Sequence, residues 1–125
     1  MTGIKVVDAS ALVAILFGEP AAETVAAWLR GAQLAAPSLL AYEVTNVCLT
    51  KIRRNPDQRS DLLAAFSSWA DMGIGLAEVD QAGVLATAEE RGLTAYDASY
   101  LWLAQRLGAE LVTLDRRLAA AMQAL

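Results

Sequence analysis

The chain has 125 residues, 56% of them apolar, with 10 Lys+Arg against 14 Asp+Glu and a formal net charge of −4. That suits one globular domain over residues 1–125 with a sizeable core, and argues against intrinsic disorder. With no histidine and a single cysteine, Cys48, the chain has no Ser-His-Asp or Cys-His catalysis, no imidazole or thiolate metal site and no internal disulfide, which fits a reducing, cytoplasmic compartment. Ile4 to Val7 is a short β-branched run that stops at Asp8, as a buried parallel strand does. Residues 10–17 read as a helix ended by Gly18-Glu19-Pro20, and Pro20 opens a second helix that Gly31 stops. The longest apolar stretch, residues 11–17, falls far short of the roughly 20 needed to span a membrane. With a strand and Asp8 ahead of it, it does not read as a leader either.

Residues 34–36 form a second strand, and Ser38 caps a long helix to Arg54, where Asn55-Pro56 breaks it. Residues 57–71 continue as another helix, with Leu62, Leu63, Phe66 and Trp69 at helical spacing. A third strand covers 76–79, and Asp80 caps a helix ending near Gly92. Residues 97–107 are helical with Gly108 as the stop, 111–114 are a fourth strand, and a terminal helix starts from Asp115. Strands alternate with one or two helices, which predicts an α/β fold: a mostly parallel four- to five-stranded sheet with helices on both faces. In such sheets the site lies beyond the carboxyl ends of the strands, near a switch in strand order.

The residues just after the strands therefore matter most. Asp8 follows the first strand and Asp115 the fourth, while Asp97 opens its helix; each also reads as an ordinary N-cap. Glu43 is inside its helix, beyond capping reach. At about 100° per residue it falls on the same side as Leu40, Val44 and Val47, the stripe that should face the core. Burying an unpaired carboxylate costs several kcal/mol unless something compensates. An internal salt bridge to Arg116 or Arg53 is one such compensation. Four acids brought together tightly from separate segments share a site cheaply only with proton uptake or a cation. An all-oxygen set suits Mg²⁺ or Mn²⁺ over zinc. The hydroxyls of Ser10 and Thr113 flank the two strand-end aspartates, where they can orient a carboxylate or hold a water.

Four stretches carry a resemblance: residues 6–16 (VVDASALVAIL) with Glu19-Pro20, 37–44 (PSLLAYEV), 94–101 (TAYDASYL) and 111–118 (LVTLDRRL). Together they resemble the PIN-domain ribonucleases, and among them the VapC-type toxins of bacterial toxin–antitoxin pairs. The resemblance covers essentially the whole chain, with Arg53 to Val79 matching only in type. It implies that Asp8, Glu43, Asp97 and Asp115 form a metal-binding acidic cluster, with Ser10 and Thr113 at the family's small polar positions. Asp8 and Asp97 would hold Mg²⁺ or Mn²⁺, while Glu43 and Asp115 complete the cluster, Asp115 as a further metal ligand. The expected reaction is in-line attack of an activated water on an RNA phosphodiester, leaving a 5′-phosphate and a 3′-hydroxyl. The resemblance also implies a homodimer and a cognate VapB-type antitoxin that blocks the site with a basic side chain.

The sequence pI of about 4.7 argues against generic charge-driven binding of nucleic acid. A local net charge of +3 over residues 51–59 answers part of that objection. Lys51, Arg53 and Arg54 there, and Arg116 and Arg117 beside Asp115, are candidate RNA contacts. A solvated helix end is the competing reading of the first group, and ion pairing with the acids that of the second. Two other functions fit the pattern less well. A phosphoryl-transfer domain would want paired acids after the first strand, yet Val7 precedes Asp8 and Ser10 stands where Asp-x-Asp needs its second acid. A non-catalytic binding module of the same fold would not need all four acids.

Overall fold

A computed structural model describes residues 3–123. Its sheet contains β1 (Ile4–Val7), β2 (Gln33–Pro37), β3 (Gly75–Ala77) and β4 (Glu110–Val112) in the order β3-β2-β1-β4. All three pairings are parallel. Val6 and Val7 point to opposite faces and are both fully buried, so helices cover both sides, and the strand reads as an unbroken apolar run for that reason.

The connections explain the covering. From β1 the chain passes through α1 (Ala9–Leu16) and α2 (Ala22–Leu29) to β2, then through α3 (Leu39–Arg54) and α4 (Arg59–Ser67) to β3. From β3 it passes through α5 (Gln81–Arg91) and α6 (Ala95–Leu107) and crosses back beyond β1 to β4, before α7 (Arg116–Gln123). Right-handed crossovers run in opposite directions along the sheet place their helices on opposite faces. Strand order therefore reverses at β1, between its neighbours β2 and β4, and their carboxyl ends open the crevice where such folds bind ligands. Leu12, Leu40, Val44, Leu101 and Leu118 meet around β1 and β4 in the core.

Several boundaries differ from the sequence reading. Pro20 lies in the turn before α2, where the Ala22 amide donates to the Glu19 carbonyl. Ser38 occupies the N-cap position of α3 without a side-chain cap bond; its amide donates to Ala77 of β3 instead. The single helix expected over 57–71 is broken into a 3₁₀ turn (Pro56–Gln58), α4 and a second 3₁₀ turn (Ser68–Met72). The hydroxyls of Ser67 and Ser68 donate to carbonyls three residues back, at 2.8 and 2.7 Å, which favours the tighter turn. Strand β4 ends at Val112 rather than 114, because Leu114 gives its amide to the Ser10 hydroxyl. No helix among the described residues is long and apolar enough to cross a membrane.

Candidate active site

The β1–β4 register builds the first part of the site. Val7 pairs with Val112, and the Asp8 amide extends the ladder to the Val112 carbonyl at 3.2 Å. Asp8 and Thr113 therefore emerge side by side. The Thr113 hydroxyl donates to Asp8 Oδ2 at 2.5 Å, and Ser10 Oγ donates to Oδ1 at 2.7 Å. The Ala11 amide also donates to Oδ1, at 3.1 Å, so Asp8 does cap α1. Only 5% exposed, Asp8 has a raised pKa because burial outweighs these bonds, with the charge of Asp115 adding to the rise.

The other acids come from three helices. On α3, Leu40, Val44 and Cys48 are buried while Tyr42 and Asn46 are exposed, so half-buried Glu43 lies on the seam between core and solvent. Its Oε1 accepts from the Tyr100 hydroxyl at 2.5 Å. Burial still pushes Glu43 upward against that bond, helped by the charges of Asp8 and Asp97. The Tyr100 phenol is driven up in turn, first by burial and then by its bond to Glu43. Asp97 is in the first turn of α6 but does not cap it. Thr94 is the cap, its hydroxyl accepting from the Asp97 amide at 3.1 Å. Burial and then Asp115 raise the Asp97 pKa, with Arg117 opposing. Asp115 caps α7, its Oδ1 accepting from the amides of Arg117 and Leu118 at 2.9 and 3.1 Å, while its own amide donates to Thr113.

These mutual charge effects link all four carboxylates at one edge of the sheet. The amino ends of α1, α6 and α7 meet there, and their dipoles offset part of the negative charge. Among the described residues, the salt bridges join Lys5 to Glu110 and Lys51 to Glu19, at 3.8 and 3.5 Å; neither involves these acids. The internal salt bridge from Glu43 to Arg116 or Arg53 is thus not formed, and Tyr100 takes that place.

The basic candidates are dispersed. Arg116 and Arg117 are exposed at the start of α7 beside the acids, and the Arg117 guanidinium donates to the Gly92 carbonyl. Arg53 and Arg54 are exposed in the last turn of α3, about 15 Å along the helix from Glu43. Lys51 pairs with Glu19 and its ammonium lies 5.2 Å from the centre of the Phe17 ring.

The PIN domain family model matches residues 5–122 of the chain. The chain belongs to the PIN-domain family. Ribonuclease VapC3 of Pyrobaculum aerophilum is 38% identical to this PIN domain over 126 residues, covering 96% of this chain and 95% of that protein. Exonuclease VapC9 of the same organism is 60% identical over 37 residues, 30% of this chain and 28% of that one. The crystal structure of PAE2754 from Pyrobaculum aerophilum superposes with a TM-score of 0.77 at 32% identity, covering 95% of this chain and 79% of that chain. The full-length likeness to VapC3 places this PIN domain with the VapC-type members that its motifs resemble.

Whether the PIN domain's acids fit a divalent ion is a question of donor chemistry. Among the described residues, no three His, Cys, Asp or Glu side chains form a group ready to hold a metal. The acids are neighbours rather than a closed cage, and both Asp8 oxygens accept hydrogen bonds. Mg²⁺ typically takes one or two carboxylates and keeps several waters, and the donors here are all oxygen and form no salt bridge among the described residues. On those grounds the set fits Mg²⁺ or Mn²⁺. Tyr100 and Thr94 were not singled out from the sequence. Thr94-x-x-Asp97 has capping-box spacing, a signal that was available, whereas Tyr100 reads as an ordinary core residue.

Proposed function

We propose that this PIN domain is an Mg²⁺- or Mn²⁺-dependent endoribonuclease acting in the cytoplasm as a homodimeric toxin, neutralised by a cognate VapB-type antitoxin. The observation that carries this reading is four carboxylates from four segments at the strand-order switch, none in a salt bridge among the described residues. The name of its full-length relative, ribonuclease VapC3, supports the RNA substrate.

In this reading Asp8, Asp97 and Asp115 hold the ion, and Ser10 and Thr113 fix the Asp8 carboxylate. When bound, such an ion lowers the pKa of an attacking water and polarises the phosphate. Glu43, anchored through Oε1 by Tyr100 and raised in pKa by burial, orients the water and receives its proton. Exposed Arg116 and Arg117 position the phosphate. A basic antitoxin side chain entering the same edge would meet four carboxylates and shut the site.

The test is cleavage of RNA by the purified chain in Mg²⁺, in Mn²⁺ and in EDTA, with Asp8→Asn as the control. Cleavage in the presence of metal, lost in EDTA and in the folded Asp8→Asn chain, is expected. Undiminished cleavage by that variant would remove the catalytic assignment. The name of the relative matched over only 37 residues, exonuclease VapC9, favours a second reading in which cleavage starts from an RNA end. Circular RNA separates the two: an endonuclease opens it, and an end-dependent enzyme leaves it intact.

A further inference from the structure

Each of two acids at the site is preceded in the chain by an exposed tyrosine. Tyr42, before Glu43, is 79% exposed, and Tyr96, before Asp97, is 65% exposed. Exposed aromatic rings scattered singly need no reason, but rings gathered in one patch do. The two rings line one recess of about 270 Å³, together with Leu39, Glu43 and Asn46. Leu39, Tyr42, Glu43 and Asn46 follow the i, i+3, i+4, i+7 pattern, so a single face of α3 supplies one side and Tyr96 of α6 the other.

The chemistry of this recess selects its occupant. Its lining contains no lysine or arginine, and Glu43 is among the lining residues, so a phosphate is repelled. Two aromatic rings offer stacking faces. The Asn46 amide supplies a donor and an acceptor for the edge of a planar polar ring. The geometry points to a base-binding subsite: one unpaired nucleobase of a single-stranded RNA segment stacks on Tyr96 and Tyr42, with Asn46 reading its edge. This rests on the ribonuclease reading above and narrows its substrate to RNA whose base beside the cleaved bond is free to leave its own stack. Unpaired bases splayed onto aromatic side chains are the usual route to recognition of single-stranded RNA. A second recess of about 310 Å³ shares Leu39 and Tyr96 and is mainly apolar, lined by Val79, Val84 and Leu85 among others.

The full-length chain, as wild type, Tyr96→Leu, Tyr96→Phe and Tyr42→Leu, is assayed with Mg²⁺ or Mn²⁺ on single-stranded RNA and on the same RNA made abasic at the nucleotides flanking the cut, a diester with no base there. Binding is read in EDTA by the quenching of 2-aminopurine placed at the nucleotides flanking the cut. Tyr96→Leu is expected to raise KM for RNA about tenfold or more and to abolish the quenching. Tyr96→Phe, which keeps the ring, should stay within about threefold of wild type, and the wild-type preference for RNA over the abasic diester should be lost in Tyr96→Leu and kept in Tyr96→Phe. Loss of both RNA and diester cleavage in the wild type would refute the nuclease reading itself. Wild-type cleavage with unaltered KM and quenching in Tyr96→Leu would refute the subsite alone. Equal loss on both substrates, or a fall in molecular mass by light scattering in the tyrosine variants, would also overturn it, the latter by making this face a contact between copies.

Discussion

Asp8 caps α1 with the same carboxylate that it presents to the site, and Ser10 and Thr113 hold both of its oxygens. Thr113→Val keeps the shape at Oδ2 while deleting its donor. A buried, charged acceptor left short of a partner costs about 1–3 kcal/mol, a loss to be read from denaturant unfolding at neutral pH. Glu43 depends similarly on Tyr100. That bond lowers the Glu43 pKa against the upward push of burial, so Tyr100→Phe lets it rise further. If ionised Glu43 receives the proton of the water, the acidic limb of the kcat/KM profile moves to higher pH in Tyr100→Phe. A limb that stays put while only stability falls would confine Tyr100 to packing. Glu43 was conspicuous in the sequence because a carboxylate interrupted an apolar stripe. Its compensation was not legible, because an interior tyrosine three residues after Asp97 looks the same whether its hydroxyl meets an acid or a backbone carbonyl.

At the level of elements, both ends of α5 and the stop of α6 are legible locally, whereas Asp97 reads as the opening of α6 and the helix starts at Ala95 under a Thr94 cap. Asp80 accepts from the Gly83 amide at 3.0 Å, and Gly92 and Gly108 close the two helices in left-handed conformation. All three are local signals with a single backbone reason behind them. The stretch 57–71 has helical apolar spacing, but no residue of α4 is fully buried, so side-chain hydroxyls rather than core packing decide where the helix tightens. Packing between α5 and α6 is the opposite case. A Cβ on Gly83 would come within 2.4 Å of Trp102 Nε1 and 3.0 Å of Asp80 Oδ2. Gly83→Ala must therefore displace an indole ring and strain the α5 cap, a loss of about 1–3 kcal/mol. Thermal unfolding should show the lower Tm, while RNA cleavage well below that temperature persists because none of the four acids is on α5. An unchanged Tm would mean that the indole has room to withdraw.

Across the whole molecule, parallel pairing and the reversal of strand order at β1 bring residues 8 and 113 into contact across 105 positions, with Glu43 and Asp97 carried to the same edge. Strand ends pointed to that edge, whereas the way neighbouring acids divide between hydrogen bonds and free oxygens depends on long-range geometry that no local pattern encodes. The resulting charge density makes a global prediction. The pKa values of Asp8, Glu43 and Asp97 are raised above the ordinary 3.8, 4.5 and 3.8. Between those values and the raised ones the folded chain binds more protons than the unfolded chain, so stability falls as pH rises through that window. The favourable contribution is complete below the ordinary values and gone above the raised ones. A divalent ion replaces those protons at the edge only where the acids are ionised, so Mg²⁺ should raise Tm more at pH 7.5 than near pH 4, where the ordinary values lie. At a hundredfold excess over its Kd the gain is about 2.7 kcal/mol, several degrees in a chain of this size. Asp97→Asn, which removes one of the repelling charges, should be at least as stable as the parent in metal-free buffer at pH 7.5 and should show a smaller Mg²⁺ shift. Equal Mg²⁺ shifts at the two pH values, or a destabilised metal-free Asp97→Asn chain, would show that these carboxylates are not the groups whose repulsion the ion relieves.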